Sequence, residues 1–251
     1  MKRIESAQNP RVKQWRKLHT RKERDKTGMF LIEGFHLVEE ALKQKELVAD
    51  IIAGENTVFP KSWNLDGMDI YLAADEVVRS LAETETTQGV FAVCRQPAAN
   101  AEAGIWKRLL LLDAVQDPGN LGTMIRTADA AGMDAIILGD GTADAFNAKT
   151  IRSSQGSVFH LPIVKGNILN WIHECNKRSI PVYGSALEGA VSYKEISPKP
   201  DFAVIIGNEG KGMDPLHLEK TDQNLYIPIK GSAESLNAAV AAGILMYHLQ
   251  G

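Results

Sequence analysis

Residues Leu109–Leu138 read LLLLDAVQDPGNLGTMIRTADAAGMDAIIL, and the pattern in this stretch decides the fold. Two apolar runs, Leu109–Asp113 and Ala135–Leu138, lack the polar alternation of half-exposed strands. Such runs suit strands covered on both faces, as in parallel sheets. Between them Pro118 and Gly119 supply turn chemistry, and Leu121–Ala131 carries a helical pattern. The alternation continues downstream, with strands expected at Pro181–Gly184, Ala203–Ile206 and Leu225–Ile227. Helical patterns lie at Asn147–Gln155, Ile168–Lys177 and Ser235–Leu249. This order predicts an α/β fold with a mostly parallel sheet covered on both faces.

Upstream the reading is mixed α and β. It predicts a helix over Asn9–Asp25, a strand at Gly28–Glu33, a helix at Gly34–Gln44 and a strand at Val48–Ala53. A helix from Ala74 and a strand at Gly89–Cys94 follow. The run Arg95–Gly104, rich in Pro, Ala and Gly, separates two domains, expected at 1–98 and 105–251.

Composition narrows the class. The chain has 251 residues, is 44% hydrophobic and holds two cysteines, Cys94 and Cys175, far apart in sequence. Neither disorder, a disulfide scaffold nor a zinc site is suggested, and no metal is expected. The first twenty residues carry no apolar signal segment, so a cytoplasmic location is the default expectation. The net charge of −3 hides an asymmetry: residues 1–26 hold ten Lys/Arg against three acids. A basic segment on an acidic body points to a polyanion. Val12, Trp15 and Leu18, three apart, give it an apolar stripe with which to dock. At the other end, Ser235–Leu249 contains no charged residue in a chain that is 24% charged. A helix apolar all round must be covered on several sides, and its longest apolar run, Ala238–Met246, is too short to cross a bilayer.

In open α/β sheets ligands sit beyond the carboxyl ends of the strands, and three loops occupy that position. Gln116–Gly122 leads into the helix that carries Arg126, with Asp117 or Asn120 as its cap. Gly207-Asn208-Glu209-Gly210-Lys211-Gly212 lacks the spacing of a P-loop and of G-x-G-x-x-G. Its Glu209 would repel phosphate, so a neutral or cationic ligand is expected there. The third loop runs from Ile227 to Asn237, where Ser235 is placed to cap the last helix.

Asn120-x-Gly122-x-x-x-Arg126-Thr127-Ala128, Gly207-x-Glu209-x-x-Gly212 and Ile227-Pro228-x-x-Gly231-x-x-x-Ser235-Leu236-Asn237 resemble, in order and spacing, the three motifs of the SpoU/TrmH family. These are RNA ribose 2′-O-methyltransferases of the SPOUT superfamily. Ile229 and Ala238-Ala239 are its small departures from the family pattern. The first half is similar to the family's L30e-like substrate-binding domain through Asn9-Pro10-x-Val12-Lys13, Phe30-x-Ile32-Glu33-Gly34 and Gln88-Gly89-Val90.

The resemblance implies a C-terminal trefoil knot, a homodimer through the C-terminal domain, and S-adenosylmethionine as cofactor. By position, Ser185, Ala186, Leu187, Gly207, Asn208, Gly212, Ile227, Ile229, Ser235 and Leu236 would hold that cofactor. Arg126 would stabilise or deprotonate the reacting ribose oxygen, with Asn120, Glu209, Ser235 and Asn237 orienting the groups around it. The basic segment would supply RNA contacts through Arg11, Lys13, Arg16, Lys17, Arg21 and Lys22. The expected substrate is 23S ribosomal RNA, with tRNA as the alternative and a non-catalytic RNA-binding protein as a further one. A nicotinamide dehydrogenase is disfavoured because no G-x-G-x-x-G turn follows the first strand.

Overall fold

The computed structural model describes residues 1–97 and 106–251; the expected domain junction lies largely outside them. The N-terminal part runs β1 (Lys2–Ile4), α1 (Pro10–Lys17), α2 (Arg21–Thr27), β2 (Met29–Glu33), α3 (Phe35–Leu42), β3 (Val48–Gly54), β4 (Ile70–Ala73), α4 (Asp75–Leu81) and β5 (Val90–Arg95). The chain continues as β6 (Arg108–Leu112), α5 (Pro118–Ala130), β7 (Ala135–Leu138), α6 (Ala148–Ser154), β8 (Ile163–Lys165) and α7 (Ile168–Lys177). It ends with β9 (Val182–Ser185), β10 (Val191–Ser192), β11 (Phe202–Ile206), α8 (Pro215–Leu218), β12 (Gln223–Tyr226) and α9 (Ala238–Gln250).

Two compact units result. The first comprises Met1–Pro97 together with Phe146–Phe159, and the second holds the remaining described residues. The first unit's sheet has the order β1-β4-β3-β5-β2. β1, β4 and β3 are parallel, whereas β5 runs antiparallel to both β3 and β2. Val12 and Trp15 of α1 are buried against this sheet's core, and the Trp15 indole donates to Asp50 at 2.9 Å.

The single helix expected over Asn9–Asp25 is two helices. Thr20 ends the first and starts the second: its hydroxyl donates to the Lys17 carbonyl at 2.8 Å and accepts from the Glu23 amide at 3.4 Å. The buried Arg24 guanidinium takes the Leu18 carbonyl at 2.7 Å, so the break is satisfied on both sides.

Phe146–Phe159 joins this unit through the Phe30 ring, whose centroid lies 4.8 Å from that of Phe146 and 5.8 Å from that of Phe159. Gly156 is required there, because a Cβ would meet Glu40 Cγ at 2.6 Å.

The second unit is a seven-stranded, all-parallel sheet of order β10-β12-β9-β11-β6-β7-β8. From β6 the chain steps outward through β7 to β8; β11, β9 and β12 lie on the other side. The direction reverses between β6 and β11, which pair from Arg108↔Phe202 to Leu112↔Ile206. That is a topological switch point, where a crevice opens beyond the strand ends. α9 packs on α5 and β11, burying Ala239, Ala242, Leu245, Met246 and Leu249. Gly243 permits the close approach, since a Cβ would lie 3.3 Å from the Thr127 methyl. The opposite stripe is not covered by the described residues: Val240 is 52% exposed and Tyr247 49%. The helix also starts later than expected. Asn237 rather than Ser235 is its cap, accepting from the amides of Ala239 and Val240 at 2.9 and 3.3 Å.

Candidate active site

β6 and β11 end at the same level, so the loops after them leave side by side. The Asp113 amide extends the pairing by donating to the Ile206 carbonyl at 2.8 Å. Ala114 then turns into the left-handed region, φ 57°, a conformation uncommon for a non-glycine residue and held here by the loop's hydrogen bonds. Its carbonyl receives the Asn208 side-chain amide at 2.8 Å, while Asn208 Oδ1 accepts from the amides of Gly210 and Lys211 at 3.0 Å each. The glycine at 207 is not explained by a ligand's approach. A Cβ there would sit 2.3 Å from the Met213 amide nitrogen, so the loop closes on its own main chain.

Glu209 is the hub of the site. Its carboxylate accepts the amides of Gln116 and Asp117 at 3.0 and 3.1 Å and the Asn120 side-chain amide at 3.0 Å. Burial pushes this carboxyl up, but the hydrogen bonds from Asn120 and from the main chain outweigh it, and the pKa lies below the ordinary value. Asn120 Oδ1 in turn accepts from Asn237 Nδ2 at 2.8 Å. Both ends of the Asn120 amide are therefore fixed. Asp117, not Asn120, caps α5, accepting from the Asn120 amide at 2.8 Å. One polar chain thus connects the loop after β6, the loop after β11 and the first turn of α9.

Ser235 and Arg126 stand outside this chain. Both are exposed and make no hydrogen bond or ion pair among the described residues. Arg126 lies six residues beyond Asn120 on α5, about 9 Å along the helix axis.

Beside the polar chain a cavity of about 550 Å³ opens at the carboxyl edge of the sheet. All ten residues expected to hold the cofactor line it: Ser185, Ala186, Leu187, Gly207, Asn208, Gly212, Ile227, Ile229, Ser235 and Leu236. Sequence reasoning missed further lining residues, among them Met213, Leu225, Ala238, Ala241 and Leu245. The last three recur at helical spacing, a signal readable once α9 is placed beside the site. The volume suits a small organic ligand. Its charged side chains are Glu188, Glu209 and Glu234 against Lys211 alone, which favours a cation and disfavours a polyphosphate.

The basic segment divides in two. Arg11 is committed internally: its guanidinium binds Asp50 at 2.7 Å and lies 4.6 Å over the Tyr71 ring. Arg21 pairs with Asp25 at 3.6 Å. Lys13, Arg16, Lys17 and Lys22 are exposed without a partner among the described residues, and the first three line one shallow surface depression with Thr20 and Ser80. Among the described residues no cluster of His, Cys, Asp and Glu is gathered to hold a metal ion.

Residues 107–247 match the SpoU rRNA Methylase family, and residues 9–92 match an MRM3-like substrate binding domain. Over 251 residues, 100% of each chain, the sequence is 54% identical to the Bacillus subtilis (strain 168) 23S rRNA (guanosine(2553)-2′-O)-methyltransferase RlmP. An AdoMet-bound rRNA methyltransferase from Sinorhizobium meliloti is similar in structure with a TM-score of 0.88 at 32% identity, covering 99% of this chain and 97% of that one. The SpoU methyltransferase AviRb from Streptomyces viridochromogenes, in complex with AdoMet, gives 0.86 at 28% identity over 96% and 97% of the two chains.

Proposed function

The chain belongs to the SpoU rRNA methylase family, and from that premise we propose that it methylates a ribose 2′-hydroxyl of 23S rRNA. Its target in this reading is the counterpart of the guanosine for which the B. subtilis relative is named. The observation that carries the reading is the junction of the Glu209–Asn120–Asn237 chain with the cavity beside it.

S-adenosylmethionine, when bound, supplies an electrophilic methyl group on a sulfonium centre. The ten residues from Ser185 to Leu236 named above would hold it, and a cavity richer in carboxylates than in cations suits its charge. The ribose hydroxyl is a weak acid and must lose its proton as it attacks. Arg126 is a permanent cation, so its role is to stabilise the developing oxyanion, while the proton passes to water at this exposed position. With no partner among the described residues, that charge is available to substrate. Asn120 and Asn237 are positioning residues, each held at both amide atoms or by the helix end it caps. The unbonded Ser235 hydroxyl faces the cavity as a contact for ribose or phosphate.

The same reading assigns 1–98 to RNA recognition and 105–251 to catalysis, with the phosphate contacts falling to Lys13, Arg16, Lys17 and Lys22. α9 is threaded through a trefoil knot, and its uncovered stripe packs on a second copy. No helix among the described residues is long and apolar enough to cross a membrane; a cytoplasmic location accords with work on ribosomal RNA.

The test is a map of 2′-O-methylation across rRNA and tRNA from cells that have the protein, lack it, or carry Arg126→Ala. Loss of one 23S site in the second and third cultures is the expected outcome. Loss of a tRNA site would overturn the substrate, and full methylation with Arg126→Ala would remove Arg126 from catalysis.

A further inference from the structure

One wall of the cavity is formed by residues 207–213 and Leu218. It is tied to the segment after β6 at three places. Asn208 reaches the Ala114 carbonyl, and Glu209 takes the amides of Gln116 and Asp117. The third tie is Asp113, whose Oδ2 accepts both the Asp214 amide and His217 Nδ1 at 2.8 Å. A carboxylate only accepts, so His217 carries its proton on Nδ1.

This third tie differs from the others. Neither Asp113 nor His217 lines the cavity, and their side chains are only 10% and 14% exposed. The two groups that Asp113 binds, the Asp214 amide and His217, adjoin in sequence the two lining residues at the far end of the loop, Met213 and Leu218. Those side chains also pack on the core beneath the sheet, but apolar burial is non-directional and does not fix where a short segment sits. α8 spans four residues, with Asp214 as its cap, and is too short to hold itself in place. The Thr221 hydroxyl and the Asn224 side-chain amide hold the Leu218 carbonyl from its β12 side, and the Asp113 carboxylate is the directional contact that joins the segment to β6.

We propose that Asp113 and His217 are positioning residues for the cofactor: their hydrogen-bonded pair holds the Met213–Leu218 wall at the place where the cavity takes its ligand. The proposal rests on the reading that S-adenosylmethionine occupies this cavity. The pair touches neither the Glu209–Asn120–Asn237 chain nor Arg126, so its loss weakens cofactor binding while sparing the chemical step.

The experiment measures equilibrium binding of S-adenosylmethionine to the full chain without RNA, beside methyl-transfer kinetics and thermal melting. His217→Ala and Asp113→Asn are each expected to weaken binding and raise the KM for S-adenosylmethionine about tenfold, the worth of one charge-assisted hydrogen bond. kcat at saturation stays within about twofold, and the double variant falls short of the sum of the two singles, because both changes act on the shared Asp113–His217 bond. Unchanged affinity overturns the proposal. So does a lower melting temperature with KM unchanged, which would make the pair structural only. If Asp113→Asn does not fold, His217→Ala, at the more exposed partner, decides the matter. Failure of the unaltered protein to bind S-adenosylmethionine would instead overturn the cavity reading, and the tether's role with it.

Discussion

Glu209 keeps a negative charge at the edge of an apolar sheet because three donors face it. Its pKa lies below the ordinary value, hydrogen bonding having outweighed burial. A group depressed in this way stabilises the native state above its unfolded pKa, about 4.3 for a glutamate, and loses that effect as pH falls through the lower native value. Glu209→Gln is therefore expected to lower the melting temperature at neutral pH. The gap to the unaltered protein should narrow as pH drops below about 4. A gap constant from pH 7 to pH 3 would mean that the charge contributes nothing. Glu209 stood out in sequence as a carboxylate in a glycine turn that no phosphate would tolerate, and as a member of the second motif. Its partners were not visible, since two of the three donors are main-chain amides. The need for glycine at 207 was not legible, because the space it leaves is filled by the loop's own main chain.

The two basic helices separate cations that face outward from two that bind inward, Arg11 and Arg24. Arg11→Ala should cost stability, about 1–2 kcal/mol, by stranding the buried Asp50 carboxylate; the cost is held down because Arg11 is 43% exposed. Lys13→Ala and Lys17→Ala should leave melting unchanged and weaken RNA binding, each reducing the slope of log affinity against log salt by about one. Filter binding across a salt series reads both effects, and an unchanged slope would remove the helix from the RNA interface. Most elements with their own apolar period were legible, but β4, whose IYLA run is only four residues long and leads straight into α4, was not. β7 is buried at every position and falls where its AIIL run does. β1, β8 and β10 have two or three residues each and exist by pairing with a neighbour, so no run of their own betrays them. The break between α1 and α2 rests on a single threonine inside a uniformly basic stretch. At α9 the sequence reading placed the cap at Ser235, two residues early; Asn237 takes that place, its side chain also held by the tertiary bond to Asn120.

Over the whole molecule, the exposed stripe of α9 bears on assembly. Val240 and Tyr247, two turns apart on a helix with no charge, suit a second copy of the same surface. Sedimentation at micromolar concentration should give a dimer, and Val240→Lys with Tyr247→Lys should give a folded monomer; a monomer before substitution would overturn the claim. The alternation of strands and helices announced the parallel sheet, but not the destination of Phe146–Phe159, which joins a unit from which it is distant in sequence. Periodicity describes a segment and is silent about which core receives it. That returning segment sets an order of events during synthesis. When Pro97 has been added, Phe30 still lacks both aromatic neighbours, which lie up to about sixty residues further on. At about 5–20 residues per second the ribosome takes about 3–12 s to make them. Through that interval the first unit waits with part of its core open, and it closes only after the first two strands of the second sheet have been translated.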